Sequence, residues 1–366
     1  MRDRELLAAL RAEMKREGFL ERATARIVFE LVVYAALGVA FAVLALTADS
    51  FLMRAGAAFA SAVFSLAVGT NTHSASHNAA ARKRGTNEAL TFFGYPLFLG
   101  LSATWWWHKH VAVHHPAPNV VGIDGDADLA PWFAITAEDA RDGGPVRRFY
   151  YRRLQWLLFP VILGITGFRM QMFGWQYIVS TLRASGVSGG SDRTRKARID
   201  LACVVVHYAL WFGVPLLFFP ASDVIGVYAT RVVLIGYGMF AVLGPGHFPL
   251  DAAAVAGEHH KGDYILLQTA STVNFRTGFV GRMVCGGLEY QIEHHLFPDI
   301  SHPHYPAAAP HIEQFCRAHG YPYRSYSWTR AVWEALRVFR SPKPVSYELQ
   351  SLRVSPAADG AGIAST

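Results

Sequence analysis

Four apolar stretches, each about the 20 residues that a helix needs to cross a bilayer, dominate the sequence and limit what it can fold into. They run roughly from Ile27 to Thr47, Phe51 to Thr70, Leu201 to Pro220 and Val224 to Leu243. A tight turn joins each pair, around Asp49 in the first and at Ala221-Ser222-Asp223 in the second. The expected fold is an all-α integral membrane protein with four transmembrane helices in two hairpins. Composition agrees, since only 17% of the 366 residues are charged and 52% are hydrophobic, where a soluble domain carries about 25% charge.

Two further apolar stretches do not read as spans. Leu157 to Trp175 contains Pro160 and Arg169, and crossing would place the Arg- and Lys-rich segment 183–198 outside, against the positive-inside bias. It is read as re-entrant or interfacial, as is Thr91 to Trp107, which Gly and Pro interrupt and three tryptophans end. Four spans then leave both termini and both large loops, 71–200 and 244–325, on the cytoplasmic side as a histidine-rich helical cap. Residues 1–26 read as a charged N-terminal helix rather than a secretory signal, 27–325 as the membrane domain, and 326–366 as a C-terminal extension with a disordered tail from Arg353. The net charge of +7 suits loops facing anionic lipid or an anionic partner. No basic nucleic-acid-binding motif accompanies it. Cys203, Cys285 and Cys316 are too scattered for a disulfide framework and read as packing residues.

The histidines carry the chemistry. All sixteen except His207 fall in the regions read as cytoplasmic, and His207 reads as a packing or pore-facing residue within the third span. "THSASH" gives His73 and His77 four residues apart, where two rings share a helical face and can bind one metal. "HVAVHH" gives His110, His114 and His115, the first two again on one face. "QIEHH" repeats the geometry with Gln291, His294 and His295. His247 stands alone just past the fourth span, where the hairpins would bring it to the clusters.

Imidazole suits zinc, copper, iron and nickel, and the lack of clustered thiolates argues against structural zinc or an iron–sulfur centre. Eight histidines exceed the needs of one ion, so two ions are the simplest count. A dinuclear site fits redox chemistry with oxygen, and a zinc pair for hydrolysis stays open. The remaining histidines, His108, His259, His260, His302, His304, His311 and His319, read as surface residues or as supports behind the ligands. Asp124, Asp126 and Asp128 resemble the start of a calcium loop, but Leu129 and Ile135 stand where that loop needs Gly and Glu. One of the three acids is expected to orient a ligand histidine; Glu293 reads as structural.

The three boxes, His73-x-x-x-His77, His110-x-x-x-His114-His115 and Gln291-x-x-His294-His295, resemble those of the membrane fatty acid desaturases. The "QIEHHLFP" form is similar to the front-end and linoleoyl-type acyl desaturases in particular. The resemblance implies a centre of two non-heme irons held by these residues, with His247 and Gln291 completing the shell. It implies use of O2 and two electrons to place a double bond in a fatty acyl thioester or lipid chain. Ser74 stands where the family often has an aspartate. No segment resembling a fused cytochrome b5 domain is seen, so electrons are expected from a ferredoxin or similar carrier with its reductase. Hydroxylases, acetylenases and ketolases share the boxes, and a non-catalytic membrane metal carrier is the reading from another class.

Overall fold

In the computed structural model, residues 2–126, 128–184 and 191–356 are described. Residues 357–366 of the expected tail, residues 185–190 and the His259 side chain, on which readings above fall, lie outside the described residues. Arg2–Arg16 forms the lead-in helix, and its amphipathic pattern buries Leu10 and Met14 at 1% and 0% exposure. Burying two such side chains is worth about 1.5–3 kcal/mol each, so this helix is fastened to the body. Thr24–Thr47 and Phe51–Ser76 follow as the first hairpin. The Ser50 hydroxyl accepts from the Met53 N–H, starting the second helix by the usual side-chain cap.

Among the described residues five helices are long and apolar enough to cross a membrane: Thr24–Thr47, Phe51–Ser76, Gln155–Ala184, Asp192–Leu216 and Ala221–His247. Residues 155–184, expected as a re-entrant or interfacial piece, form one unbroken helix with Pro160 tolerated in its second turn. As the sixth residue of the helix, Pro160 removes one i→i−4 hydrogen bond, that to the Trp156 carbonyl, without ending the helix.

Residues 84–114 do break repeatedly, as their glycine and proline suggested. Arg84–Phe92 is helical, Phe93–Leu99 widens into a π-helix around Pro96, and Gly100 turns with φ +72°. Widening and turning leave carbonyls without helical partners in an apolar setting, where each would be costly. Three side chains from three other helices satisfy them: His207 Nδ1 on Leu97 O at 3.1 Å, Arg231 Nη2 on Phe98 O at 3.0 Å and Gln171 Nε2 on Leu99 O at 3.0 Å. His207 therefore has a bonding role; its other nitrogen lies 2.9 Å from the Tyr228 hydroxyl. These bonds fix the base from which Trp106 and the second histidine box project.

Two small parallel sheets tie the loops together. Val120–Val121 pairs with Ala254–Ala256, which pairs with Val345–Ser346; Asn274–Arg276 pairs with Ser325–Ser327. Trp328–Arg337 then lays its buried Ala331 and Ala335 on the body. The three cysteines are free.

Candidate metal centre

His73 lies in the last turn of Phe51–Ser76 and His77 ends it, their rings 4.8 Å apart. The second box sits on the π-helix Trp107–His114, which Trp106 enters stacked on His110 at 4.4 Å. The third box is the six-residue helix Gln291–Leu296, too short to stand alone and held at its start by Asn274. Asn274 Oδ1 accepts from the Ile292 N–H at 2.9 Å, and its amide donates to Glu293 at 2.8 Å. Tyr323 donates to the other Glu293 oxygen at 2.6 Å. Burial pushes the Glu293 carboxyl up to about 7. Its bonds point away from the histidines, so it braces the helix, as the sequence suggested. His247 is the last residue of Ala221–His247.

These pieces converge on two groups of ring nitrogens. His73, His77, His110 and His294 form one, and His114, His247 and His295 the other, each with its donor atoms within 4.8 Å of one another. His110 and His114 do share a face, stacked at 5.1 Å, yet they serve different groups, and so do adjacent His294 and His295. His115 stands between, 4.3 Å from the His77 ring and 4.4 Å from the His295 ring.

Partners behind the rings choose which nitrogen faces inward. His295 Nδ1 donates to Gln268 Oε1 at 3.0 Å, while the Gln268 amide holds the His115 carbonyl at 3.0 Å. His294 Nδ1 lies 3.1 Å from the Tyr305 hydroxyl, and His114 Nδ1 lies 2.8 Å from Asp124. Among the described residues, the inward Nε2 atoms of His77, His294 and His295, with Nδ1 of His115 and His247 and the Gln291 amide, are buried with no hydrogen-bond partner. So many unsatisfied donors and acceptors at one place would be costly without a ligand. Burial first, then crowding by other histidines, drives His110, His115, His294 and His295 well below the ordinary histidine range. They are neutral, with lone pairs to offer. This donor set fits a pair of borderline-soft metal ions.

Of the three acids, Asp124 alone touches a ring. Burial works against its ionisation, but the His114 pair and the Asn119 and Asp126 N–H groups hold it down to about 2. Asp126 pairs with Lys109, and Asp128 accepts from the Ala130 N–H. Of the remaining histidines, His302 supports box 1 from behind, 2.9 Å from Ser74 Oγ and 3.5 Å from Glu30. His108 stacks on Tyr177 and His311 meets Glu13 at 2.7 Å. Gln268, Tyr305, Asn119, Lys343 and Glu30 escaped the sequence reading. Gln268 alone left a trace there, as a polar residue directly after the apolar run 265–267.

A cavity of about 210 Å³ borders the cluster, with His110, His114, His247 and Gln291 in its lining. Its walls are mostly apolar, with Phe159, Leu163, Met239 and Phe240 among them. A buried multi-histidine cluster thus borders an apolar cavity.

Comparison with known proteins agrees. The fatty acid desaturase family matches residues 49–327, taking in all three boxes and His247. The Delta(5) fatty acid desaturase fat-4 of Caenorhabditis elegans is 28% identical over 290 residues, 76% of this chain and 61% of that protein. The Delta(8)-fatty-acid desaturase of Euglena gracilis is 28% identical over 262 residues, 70% of this chain and 60% of that one. Fatty acid desaturase 3 of Homo sapiens is 25% identical over 269 residues, covering 72% and 56%. The chain belongs to the fatty acid desaturase family, on its front-end branch. It spans 56–61% of the length of these relatives.

Proposed function

We propose that the chain is an O2-dependent fatty acyl desaturase that introduces a double bond into a lipid acyl chain at a non-heme diiron centre. The observation that carries this is the set of buried, unsatisfied nitrogen donors facing one another beside an apolar cavity. His73, His77, His110 and His294 would hold one iron, and His114, His247 and His295 the other, with His115 and Gln291 completing the shell. Bound iron would supply the activation of oxygen and the removal of two hydrogens from an unactivated acyl chain.

The chain's own residues do the rest. Asp124 keeps the proton on Nδ1 of His114 and so frees Nε2. Gln268 does the same for His295. The apolar walls would align the acyl chain beside the cluster and exclude water. An external carrier, a ferredoxin or similar protein with its reductase, would bring the electrons, and the net charge of +7 suits an acidic one.

Four spans with both termini cytoplasmic remain our reading of the topology. His77 and His247 belong to one cluster, so the chain between them crosses the membrane an even number of times. Three long helices lie in that interval, and one therefore does not span. Gln155–Ala184 is the least apolar, at mean hydropathy 1.4 against 1.7 and 1.6, and it carries Arg169. Toward its two ends it meets the histidine-bearing side: Phe159 lies 5.2 Å from Phe240, and Tyr177 stacks on His108 at 5.3 Å.

The test is elemental analysis of detergent-purified protein together with an acyl-product screen. About two irons per chain and a new double bond are expected. Zinc alone after iron-replete expression would overturn the reading, and a hydroxylated product would move it to the related oxygenases.

A further inference from the structure

The helix Gln155–Ala184 has two faces with different company. Phe159, Ile162, Leu163, Thr166 and Met170, at the spacing of one helical face, line the cavity that borders the histidines. Val161, Ile165, Phe168 and Met172 face outward and are exposed, as suits contact with lipid. Arg169 sits at the boundary of these faces, half-buried, and also lines the cavity.

Its surroundings are unusual for a permanent cation. The guanidinium lies 5.5 Å from the Phe173 ring; that ring lies 6.1 Å from Trp105, over which the Lys109 ammonium sits at 5.2 Å. Lys109 is neutralised by Asp126. Among the described residues the Arg169 guanidinium makes no hydrogen bond and no ion pair, and it sits against the Phe173 ring. A cation drawn partly out of water without a counterion costs free energy. A guanidinium's planar fork matches phosphate oxygens in pairs. Its place on the cavity wall leaves the missing anion to arrive with whatever fills the cavity.

We propose that Arg169 receives the phosphate-bearing head of the acyl substrate while the cavity takes the adjoining part of the chain. This rests on the reading that the cavity holds an acyl chain. The phosphate can belong to a phospholipid reaching in from the bilayer side or to the carrier of a soluble acyl thioester. The chemistry at Arg169 is the same for both.

The experiment measures equilibrium binding, not turnover, of three probes to the full iron-loaded protein: dioleoylphosphatidic acid in mixed micelles, oleoyl-CoA and methyl oleate. Arg169→Gln should weaken at least one phosphate-bearing probe about tenfold or more, the loss expected for one charge-assisted hydrogen bond. Methyl oleate should bind within about twofold of wild type, which also shows that the variant is folded, and Arg169→Lys should fall between. A larger loss for phosphatidic acid identifies the lipid as the source, and a larger loss for oleoyl-CoA the thioester. Equal loss for all three probes, or loss for none, would overturn the proposal. Wild-type protein that binds in this pattern but forms no double bond would refute the desaturase reading and leave Arg169's role standing.

Discussion

Asp124 lies 2.8 Å from Nδ1 of His114, and the pair is enclosed, at 1% and 3% exposure. The carboxylate also accepts the N–H of Asn119 at 2.9 Å and that of Asp126 at 3.0 Å. Two backbone N–H groups thus hold the carboxylate, which fixes the ring's orientation and leaves its Nε2 toward His247 and His295. Asp124→Asn keeps the shape but can present an amide N–H where the ring needs an acceptor. Support of this kind is worth about 10–100-fold in metal affinity. The variant should therefore lose one metal to a chelator concentration that wild type withstands, measured as metal per chain after dialysis. Wild-type retention would remove Asp124 from the site.

Neighbouring His294 and His295 should behave as ligands of different ions. His294→Ala and His295→Ala should each abolish turnover and each lower bound iron by about one of the two, with size-exclusion and circular-dichroism profiles unchanged. His115→Ala should also abolish turnover, because its ring bridges the two groups. His311→Ala, whose ring pairs with Glu13 of the lead-in helix, is the control. Loss of both irons in one box 3 variant with neither lost in the other would contradict the division into two groups.

Gly246 makes room for Gln291. A Cβ at Gly246 would stand 2.4 Å from Gln291 Cγ, closer than any real contact, so Gly246→Ala must push the glutamine aside. Gln291 is buried with an unpartnered amide and lines the cavity. Activity is expected to fall at least tenfold, with a stability loss of about 1–3 kcal/mol from overpacking. Product formation against thermal unfolding in detergent separates the two effects. Full activity would show that Gln291 plays no part at the centre.

Much of this site was legible because metal ligation leaves local marks. His73 and His77, or Gln291 and His294, advertise a shared face through spacing alone, and the second apolar hairpin announces that His247 returns to the same side. Division of labour was not legible. His110 and His114 share a face yet go to different groups, since assignment depends on which ring nitrogen each partner occupies, and Gln268 and Tyr305 come from elsewhere in the chain. That residues 155–184 form one unbroken helix was not legible either, because Pro160 and Arg169 weaken an apolar pattern without breaking a helix. One proline removes one hydrogen bond of a long ladder, and an arginine at a cavity edge is not exposed to hydrocarbon on all sides. The bonds of His207, Arg231 and Gln171 to successive carbonyls have no periodicity to betray them.

Lys343 offers a test that does not involve turnover. Its side chain is buried at 1% exposure, and Nζ donates to the carbonyls of His247 at 2.9 Å and Ala252 at 2.6 Å. Burial pushes the ammonium down to about 7, with the charge of Asp124 opposing that fall. An uncharged amine has two N–H groups, which matches two carbonyl acceptors. Between about pH 7 and the ordinary lysine value of 10.5, the folded protein holds Lys343 neutral while the unfolded chain keeps it protonated. Unfolding then takes up a proton, so stability rises with pH across that window, by up to about 1.4 kcal/mol per unit. Below 7 both states carry the proton and this contribution is flat. Lys343→Met removes the titration and leaves Asn119, whose amide also donates to the His247 carbonyl at 2.8 Å. Thermal unfolding in detergent at pH 7, 8 and 9 should show a rise for wild type that is smaller or absent in the variant. Parallel pH profiles would mean that Lys343 is protonated in the folded state, and that the His247 turn holds a full charge.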